Sequence, residues 1–119
     1  MIPTAVWILT AAVIAGAILA LWHLRATDGG GRPPPFAGIA HGVAGAMGLF
    51  VLVVALQGPP RGVEAGAGSF GTTAAVLFAA ALLTGGSLLF LRRNRIVMAI
   101  HAGIAISGYV LLLAWSALG

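Results

Sequence analysis

Four long apolar runs limit the folds that this chain of 119 residues can adopt. The runs extend from about Pro3 to Leu24, Phe36 to Leu56, Phe70 to Leu91 and Ile96 to Leu118. Each is close to the roughly 20 residues that an α-helix needs to cross the hydrocarbon core of a bilayer. Because isolated strands cannot satisfy their backbone hydrogen bonds in lipid, helix is the state expected for all four.

The composition also indicates a membrane protein. The chain is 61% hydrophobic and 7% charged, whereas about a quarter of the residues in a soluble domain are charged. The net charge of +4 does not indicate nucleic-acid binding, because the basic residues lie in short loops between apolar runs rather than on a polar face. The absence of cysteine excludes disulfides, thiolate nucleophiles, iron–sulfur clusters and covalently attached c-type haem.

We therefore expect an all-α polytopic membrane protein, with one four-helix transmembrane domain over residues 1–119 in an up-down-up-down bundle. The first run has no basic residue before it and is too long for the core of a signal peptide, so we expect it to be retained. The Gly- and Pro-rich segments 26–35 and 57–69 are predicted loops, and Ser69 is a candidate N-cap for the third helix. The segment Arg92–Arg95 is so short that the third and fourth helices should form a tight antiparallel hairpin.

The distribution of arginine predicts the orientation in the membrane. The first and third loops carry five arginines: Arg25, Arg32, Arg92, Arg93 and Arg95. The second loop carries only Arg61, beside Glu64. By the positive-inside rule, the arginine-rich loops face the cytoplasm and both termini face the periplasm, in the inner membrane of a bacterial cell.

Tryptophans lie near the ends of the runs. Trp7 and Trp115 fall near the predicted outer interface and Trp22 near the inner one. An aromatic belt at the two membrane interfaces would have this distribution.

Two histidines lie inside the runs at similar depth. His41 is five residues into the second run, and His101 is six residues beyond Arg95. At 1.5 Å per residue both lie roughly 8–9 Å inside the same face. Ionisable residues within a span are costly and often mark a site, so we predict that the two imidazoles face one another across a shared site.

A small residue follows each histidine four positions on, and a glycine follows seven positions on. These residues are Gly45 and Gly48 after His41, and Ala105 and Gly108 after His101. Positions i, i+4 and i+7 share one helix face, so each imidazole has a strip of small residues beside it. Such strips could leave room for a flat cofactor, although they also occur wherever membrane helices pack closely.

Two neutral imidazoles at one level could supply both axial ligands of a b-type haem. The arginines of the nearby loops could then pair with its propionates. The histidine and small-residue pattern resembles that of the small four-helix membrane cytochromes b of the cytochrome b561 type, in the regions around His41 and His101. The resemblance implies a haem and electron transfer. Such families commonly carry ligand pairs on both sides of the membrane, whereas this sequence has no histidine on the outer side, so at most one haem is expected.

An alignment of His41 with His101 also superimposes Gly48 on Gly108, followed by two apolar tails. The alignment predicts two repeated hairpins related by an axis along the membrane normal. A chance similarity between two apolar helices is the alternative.

A metal site is another alternative for the histidines. His23, His41 and His101 could converge on copper or zinc, with Asp28 as the only nearby carboxylate in the sequence. His23 adjoins Trp22 and Arg25, so a position at the membrane interface is the simpler interpretation for it.

Several function classes have no support. Asp28 and Glu64 are the only acids and both lie in loops, whereas a proton-coupled transporter normally keeps an acid within a span. No nucleophile–base–acid set or phosphate-binding loop is visible, so we do not expect an enzyme acting alone. Thr84 and Ser87 should bond to carbonyls or across to a neighbouring helix. Tyr109 should bond a polar partner, for which a backbone carbonyl is the simpler interpretation and the border of a quinone or of the cofactor is the alternative.

Two hypotheses remain open. The first is a haem-binding subunit for electron transfer. The second is a non-catalytic accessory subunit of a larger respiratory or photosynthetic membrane complex, whose partners would be lipid and other membrane subunits.

Overall fold

The computed structural model describes residues 1–26, 29–91 and 94–119 and contains four α-helices. They are α1 (Ile2–Ala26), α2 (Pro35–Ala55), α3 (Phe70–Ser87) and α4 (Arg95–Leu118). All four are long and apolar enough to cross a membrane. No strand occurs in the described ranges. The prediction of an all-α protein with four candidate membrane spans is confirmed.

The starts of the helices have local causes. Pro35 begins α2 after Pro34 in extended conformation (φ −66°, ψ 148°), and proline is favoured at the first helical position because no intrahelical partner exists there for an N–H. Asn94 caps α4, since its Oδ1 accepts from the backbone N–H groups of Ile96 and Val97, both at 3.1 Å. Ser69 precedes α3 as predicted, but its side chain makes no capping hydrogen bond.

Helix α3 ends at Ser87, earlier than the predicted limit near Leu91. The N–H groups of Leu88, Leu89 and Phe90 bond to the carbonyls three residues before them, the tighter spacing of a 3₁₀ turn. Gly85 and Gly86 lie just before this change, and glycine has a low helix propensity. Arg92, Arg93 and Asp28 lie outside the described residues.

The four helices form an elongated bundle of 52 × 21 × 20 Å. Helix α1 packs most extensively on α2, and α3 on α4, while the α2–α3 and α1–α4 contacts are smaller. Among the described residues, no Cα of α1 lies within 8 Å of one in α3, and none of α2 within 8 Å of one in α4. Helices α2 and α4 are therefore diagonal across the bundle.

The best-packed part of the core contains one fully buried leucine from each of three helices, Leu9, Leu52 and Leu112. Two glycines let the helices approach here. A methyl group on Gly48 would lie 2.7 Å from Cγ of Leu9, and one on Gly108 would lie 3.1 Å from Cβ of Leu77. Helices in lipid associate through close packing of this kind, because hydrocarbon offers no hydrophobic drive to bring them together.

The tryptophans do not all form a lipid-facing belt. Trp7 is 74% exposed, and Trp22 is partly exposed with its Nε1–H donating to the Gly31 carbonyl at 2.7 Å. Trp115 is only 3% exposed. Its ring fills the gap left by Gly71, where a methyl group would lie 2.7 Å from Cδ2 and Cε2. Trp115 therefore belongs to the core and takes no part in a lipid-facing belt, while its depth near the outer interface stays a prediction.

Candidate functional site

The rings of His41 and His101 meet inside the bundle. Their centroids are 6.0 Å apart and their planes are perpendicular. Both residues are partly buried. The two helices that carry them, α2 and α4, are diagonal, and no Cα atoms of the two lie within 8 Å of each other among the described residues. The imidazoles therefore meet across the space between these helices.

His101 is held by hydrogen bonds to α3. Its Nδ1 lies 2.8 Å from the carbonyl oxygen of Ala81 and 3.2 Å from Oγ1 of Thr84. Because a carbonyl only accepts, Nδ1 of neutral His101 carries the proton and Nε2 keeps its lone pair. Metal-ligating histidines commonly donate their other ring N–H to a backbone carbonyl in this way.

The Thr84 hydroxyl joins this arrangement to its own helix. Oγ1 lies 3.0 Å from the carbonyl oxygens of both Ala80 and Ala81. Ser87 donates to the Thr84 carbonyl at 2.7 Å. The prediction that these two hydroxyls bond to carbonyls or across to a neighbour is confirmed for both, and Thr84 does each.

His41 has a different environment. The carbonyl of Ala12 faces its ring, yet Nδ1 is buried without a hydrogen-bond partner among the described residues. Nδ1 of His41 thus lacks the close carbonyl partner that Nδ1 of His101 has in Ala81. An unpartnered polar atom is costly in an apolar medium.

Two glycines that the sequence interpretation did not single out lie directly against the imidazoles. A methyl group on Gly16 would be 2.8 Å from Cε1 of His41, and one on Gly85 would be 2.8 Å from Cε1 of His101. Cβ atoms essentially never come so close to a ring atom, so each ring occupies space that only glycine leaves free. The sequence feature that could have identified these two glycines is the motif Ala-x-x-x-Gly, which occurs at residues 12–16 and again at residues 81–85.

The predicted strips of small residues have another role. Gly48 and Gly108 are buried against Leu9 and Leu77, and seven residues of helix place them roughly 10 Å along the axis from the histidines. Neighbouring helices fill the space directly beside Gly48 and Gly108, and a role for these glycines at a cofactor site stays a prediction. Gly45 and Ala105, four residues from the histidines, are partly buried.

His23 is not part of the pair. It is exposed, and its Nδ1 lies 3.0 Å from the Leu19 carbonyl of its own helix. In the described part of the chain, no three His, Cys, Asp or Glu residues are grouped closely enough to hold a metal ion. The structure does not assemble the three-histidine alternative.

Tyr109 makes a polar contact between α1 and α4. Its hydroxyl lies 2.6 Å from Oγ1 of Thr10. Thr10 donates to the Val6 carbonyl at 2.7 Å, so the Tyr109 hydroxyl is the donor between the two. The expectation of a polar partner is confirmed, but the partner is a threonine hydroxyl and not the backbone carbonyl that was the simpler interpretation.

The residues around the two histidines correspond closely. Segments 41–50 and 101–110 show the same order of exposed, partly buried and buried positions. The buried residues of α1, Ala5, Leu9 and Ala12, have the same spacing as three buried residues of α3: Ala74, Phe78 and Ala81. The helix that packs on each histidine thus carries buried residues at the same spacing, α1 for His41 and α3 for His101.

No protein-family model, curated protein or solved structure matches the chain.

Proposed function

We propose that this chain is a small integral membrane protein that binds one b-type haem between α2 and α4, with His41 and His101 as axial ligands, and that it transfers electrons. The observation that carries the proposal is the meeting of two imidazoles from diagonal membrane helices at a centroid distance of 6.0 Å. Two histidines inside apolar spans are costly unless they serve a site.

The donor set fits the group. His41 and His101 would each hold the haem iron through one ring nitrogen, and their rings already lie within one contact distance of each other, with centroids 6.0 Å apart. The Nδ1–H of His101 is already bonded to the Ala81 carbonyl, which leaves Nε2 as the free ligand atom. Nδ1 of His41 is a buried polar atom without a partner among the described residues, and such atoms often mark a binding site. A bis-histidine haem supplies a one-electron Fe(III)/Fe(II) couple.

Cations at the same end of the bundle would serve the propionates. Arg95 begins α4 two turns before His101, and Arg25 lies in the last turn of α1. Arg32 lies in the following loop. Guanidinium groups bind carboxylates through paired, charge-assisted hydrogen bonds.

We propose that the frame consists of two repeated antiparallel hairpins, α1–α2 and α3–α4, in an up-down-up-down bundle. Gly16 faces His41, while Leu9, which is earlier in α1, faces Gly48, which is later in α2. This order of contacts is the one that two antiparallel helices make. Gly85 with His101, and Phe78 with Gly108, repeat this order in the second hairpin. The matching burial of segments 41–50 and 101–110 supports the same relation.

The proposed orientation follows from the arginines, with both termini periplasmic and the histidine pair near the cytoplasmic face of an inner membrane. The chain has no cysteine, so single cysteines introduced at Gly31 and Gly66 can be labelled without a background. We expect an impermeant maleimide added to intact spheroplasts to label residue 66 and to leave residue 31 unlabelled until the membrane is opened. The reverse pattern would overturn the orientation.

The haem is tested by a spectrum. We expect protein expressed with excess haem and purified in mild detergent to show the α-band of a six-coordinate b-type haem after dithionite reduction. His41→Ala and His101→Ala should each abolish the six-coordinate spectrum, whereas His23→Ala should leave it unchanged because His23 is exposed and contacts a carbonyl of its own helix. A well-folded protein that takes up no haem would refute the proposal.

A second candidate, an accessory subunit of a larger redox or photosynthetic complex, is favoured by open small-residue positions on the bundle surface. Among the described residues, no side chain of another helix lies within 4 Å of a methyl group built on Gly38, Gly42 or Gly103. Positions of this kind let a further helix approach closely. Purification in mild detergent tests it, since a subunit should co-purify with larger membrane proteins at fixed stoichiometry, and a dispersed monomer would count against it.

A further inference from the structure

The two histidines of the proposed site are not held equally. Nδ1 of His101 lies within hydrogen-bond distance of the Ala81 carbonyl and of the Thr84 hydroxyl. Nδ1 of His41 is buried without a partner among the described residues. This difference occurs even though both rings rest against a glycine at the same 2.8 Å distance from Cε1.

A single residue accounts for part of the difference. Thr84 immediately precedes Gly85 on α3, and Ala15 immediately precedes Gly16 on α1. Helix α1 therefore offers no hydroxyl at the position from which Thr84 reaches the ring of His101. The Thr84 hydroxyl is itself fixed by the Ala80 and Ala81 carbonyls, so its oxygen lone pairs are directed rather than free to rotate.

We propose that Thr84 is a positioning residue that makes His101 the fixed member of the pair and leaves His41 exchangeable. In the haem-loaded protein, a small uncharged diatomic ligand then competes with His41 for the iron. This inference rests on the proposed haem site and goes beyond it, because it assigns unequal roles to the ligands and names the class of molecule that enters.

The physical reason lies in the second hydrogen bond of each imidazole. A ligating imidazole whose N–H is bonded to a carbonyl has a fixed tautomer, a fixed orientation and greater basicity. His101 has these properties through α3. Nδ1 of His41 lacks a hydrogen bond of this quality among the described residues, so rotation of the His41 ring carries a smaller penalty than rotation of the His101 ring.

The role of Thr84 can be tested without haem. In apo protein labelled with ¹⁵N-histidine, we expect the imidazole shifts of His101 to report the Nδ1–H tautomer and those of His41 to report a tautomer mixture. Thr84→Val keeps the shape and removes one of the two acceptors of the His101 Nδ1–H. It should raise the population of the other tautomer without abolishing the Nδ1–H form, because the Ala81 carbonyl remains, and Thr84→Ser should restore the wild-type shifts. Equal tautomer populations in the two histidines, or no change in Thr84→Val, would overturn the role of Thr84.

Carbon monoxide tests the exchange in the reduced, haem-loaded protein. We expect carbon monoxide to bind and to replace the six-coordinate spectrum, and Ala15→Thr to weaken its binding by about tenfold, the scale on which outer-shell partners act. Ala15→Thr also covers the case in which Thr84→Val fails to fold. A haem-loaded protein that excludes carbon monoxide would overturn the proposed exchange of His41. Failure to load haem would overturn the proposed function itself. In that case the tautomer comparison still decides the role of Thr84.

Discussion

Gly16 lies so close to His41 that a methyl group at this position would be 2.8 Å from Cε1 of the ring. Gly85 stands in the same relation to His101. Each histidine therefore depends on a glycine of the preceding helix, and the dependence can be tested separately from any cofactor.

We expect Gly85→Ala to lower the free energy of unfolding by about 1–3 kcal/mol, the usual cost of forcing extra volume into a packed interior. Gly86 is the matched control, because a methyl group there meets no atom within 4 Å among the described residues. Gly86→Ala should be neutral or stabilising by about 0.5–1 kcal/mol, since alanine favours helix over glycine. Thermal unfolding in mild detergent measures both, and equal effects at the two positions would contradict the close contact with His101.

The N-caps give a second matched pair. Asn94 accepts two backbone N–H bonds at the start of α4, whereas the Ser69 side chain makes none at the start of α3. We expect Asn94→Ala to destabilise the protein by about 1 kcal/mol and Ser69→Ala to have no measurable effect. A larger loss of stability from Ser69→Ala than from Asn94→Ala would show that the cap assignment is reversed.

The spans were predictable from sequence because length and apolarity are local properties of a segment. The common depth of His41 and His101 was predictable for a related reason, since the rise per residue converts sequence position into height. The partners of the imidazoles were not predictable, because Gly16 and Gly85 matter only once α1 is known to pack on α2 and α3 on α4. For the same reason, Gly48 and Gly108 share a helix face with the histidines but contact different neighbours.

Trp115 illustrates the same limit and provides a third prediction. Its place near the end of a span suggested an interface, whereas it is buried against Gly71. In vesicles containing brominated lipid, we expect strong fluorescence quenching in the variant Trp22→Phe/Trp115→Phe, whose one remaining tryptophan is Trp7. We expect weak quenching in the variant Trp7→Phe/Trp22→Phe, whose one remaining tryptophan is Trp115. Equal quenching of the two would show that Trp115 faces lipid.

The hydrogen bond between Tyr109 and Thr10 connects the first helix to the last. At 2.6 Å it is a polar contact between α1 and α4, two helices that pack less extensively than α1 on α2 or α3 on α4. A double-mutant cycle with Tyr109→Phe and Thr10→Val removes each hydroxyl while preserving shape. We expect a coupling free energy of about 0.6 kcal/mol, the average measured for hydrogen bonds between membrane helices. Additive single effects, with no coupling, would mean that the two hydroxyls do not bond in the membrane and that apolar packing alone holds α1 against α4.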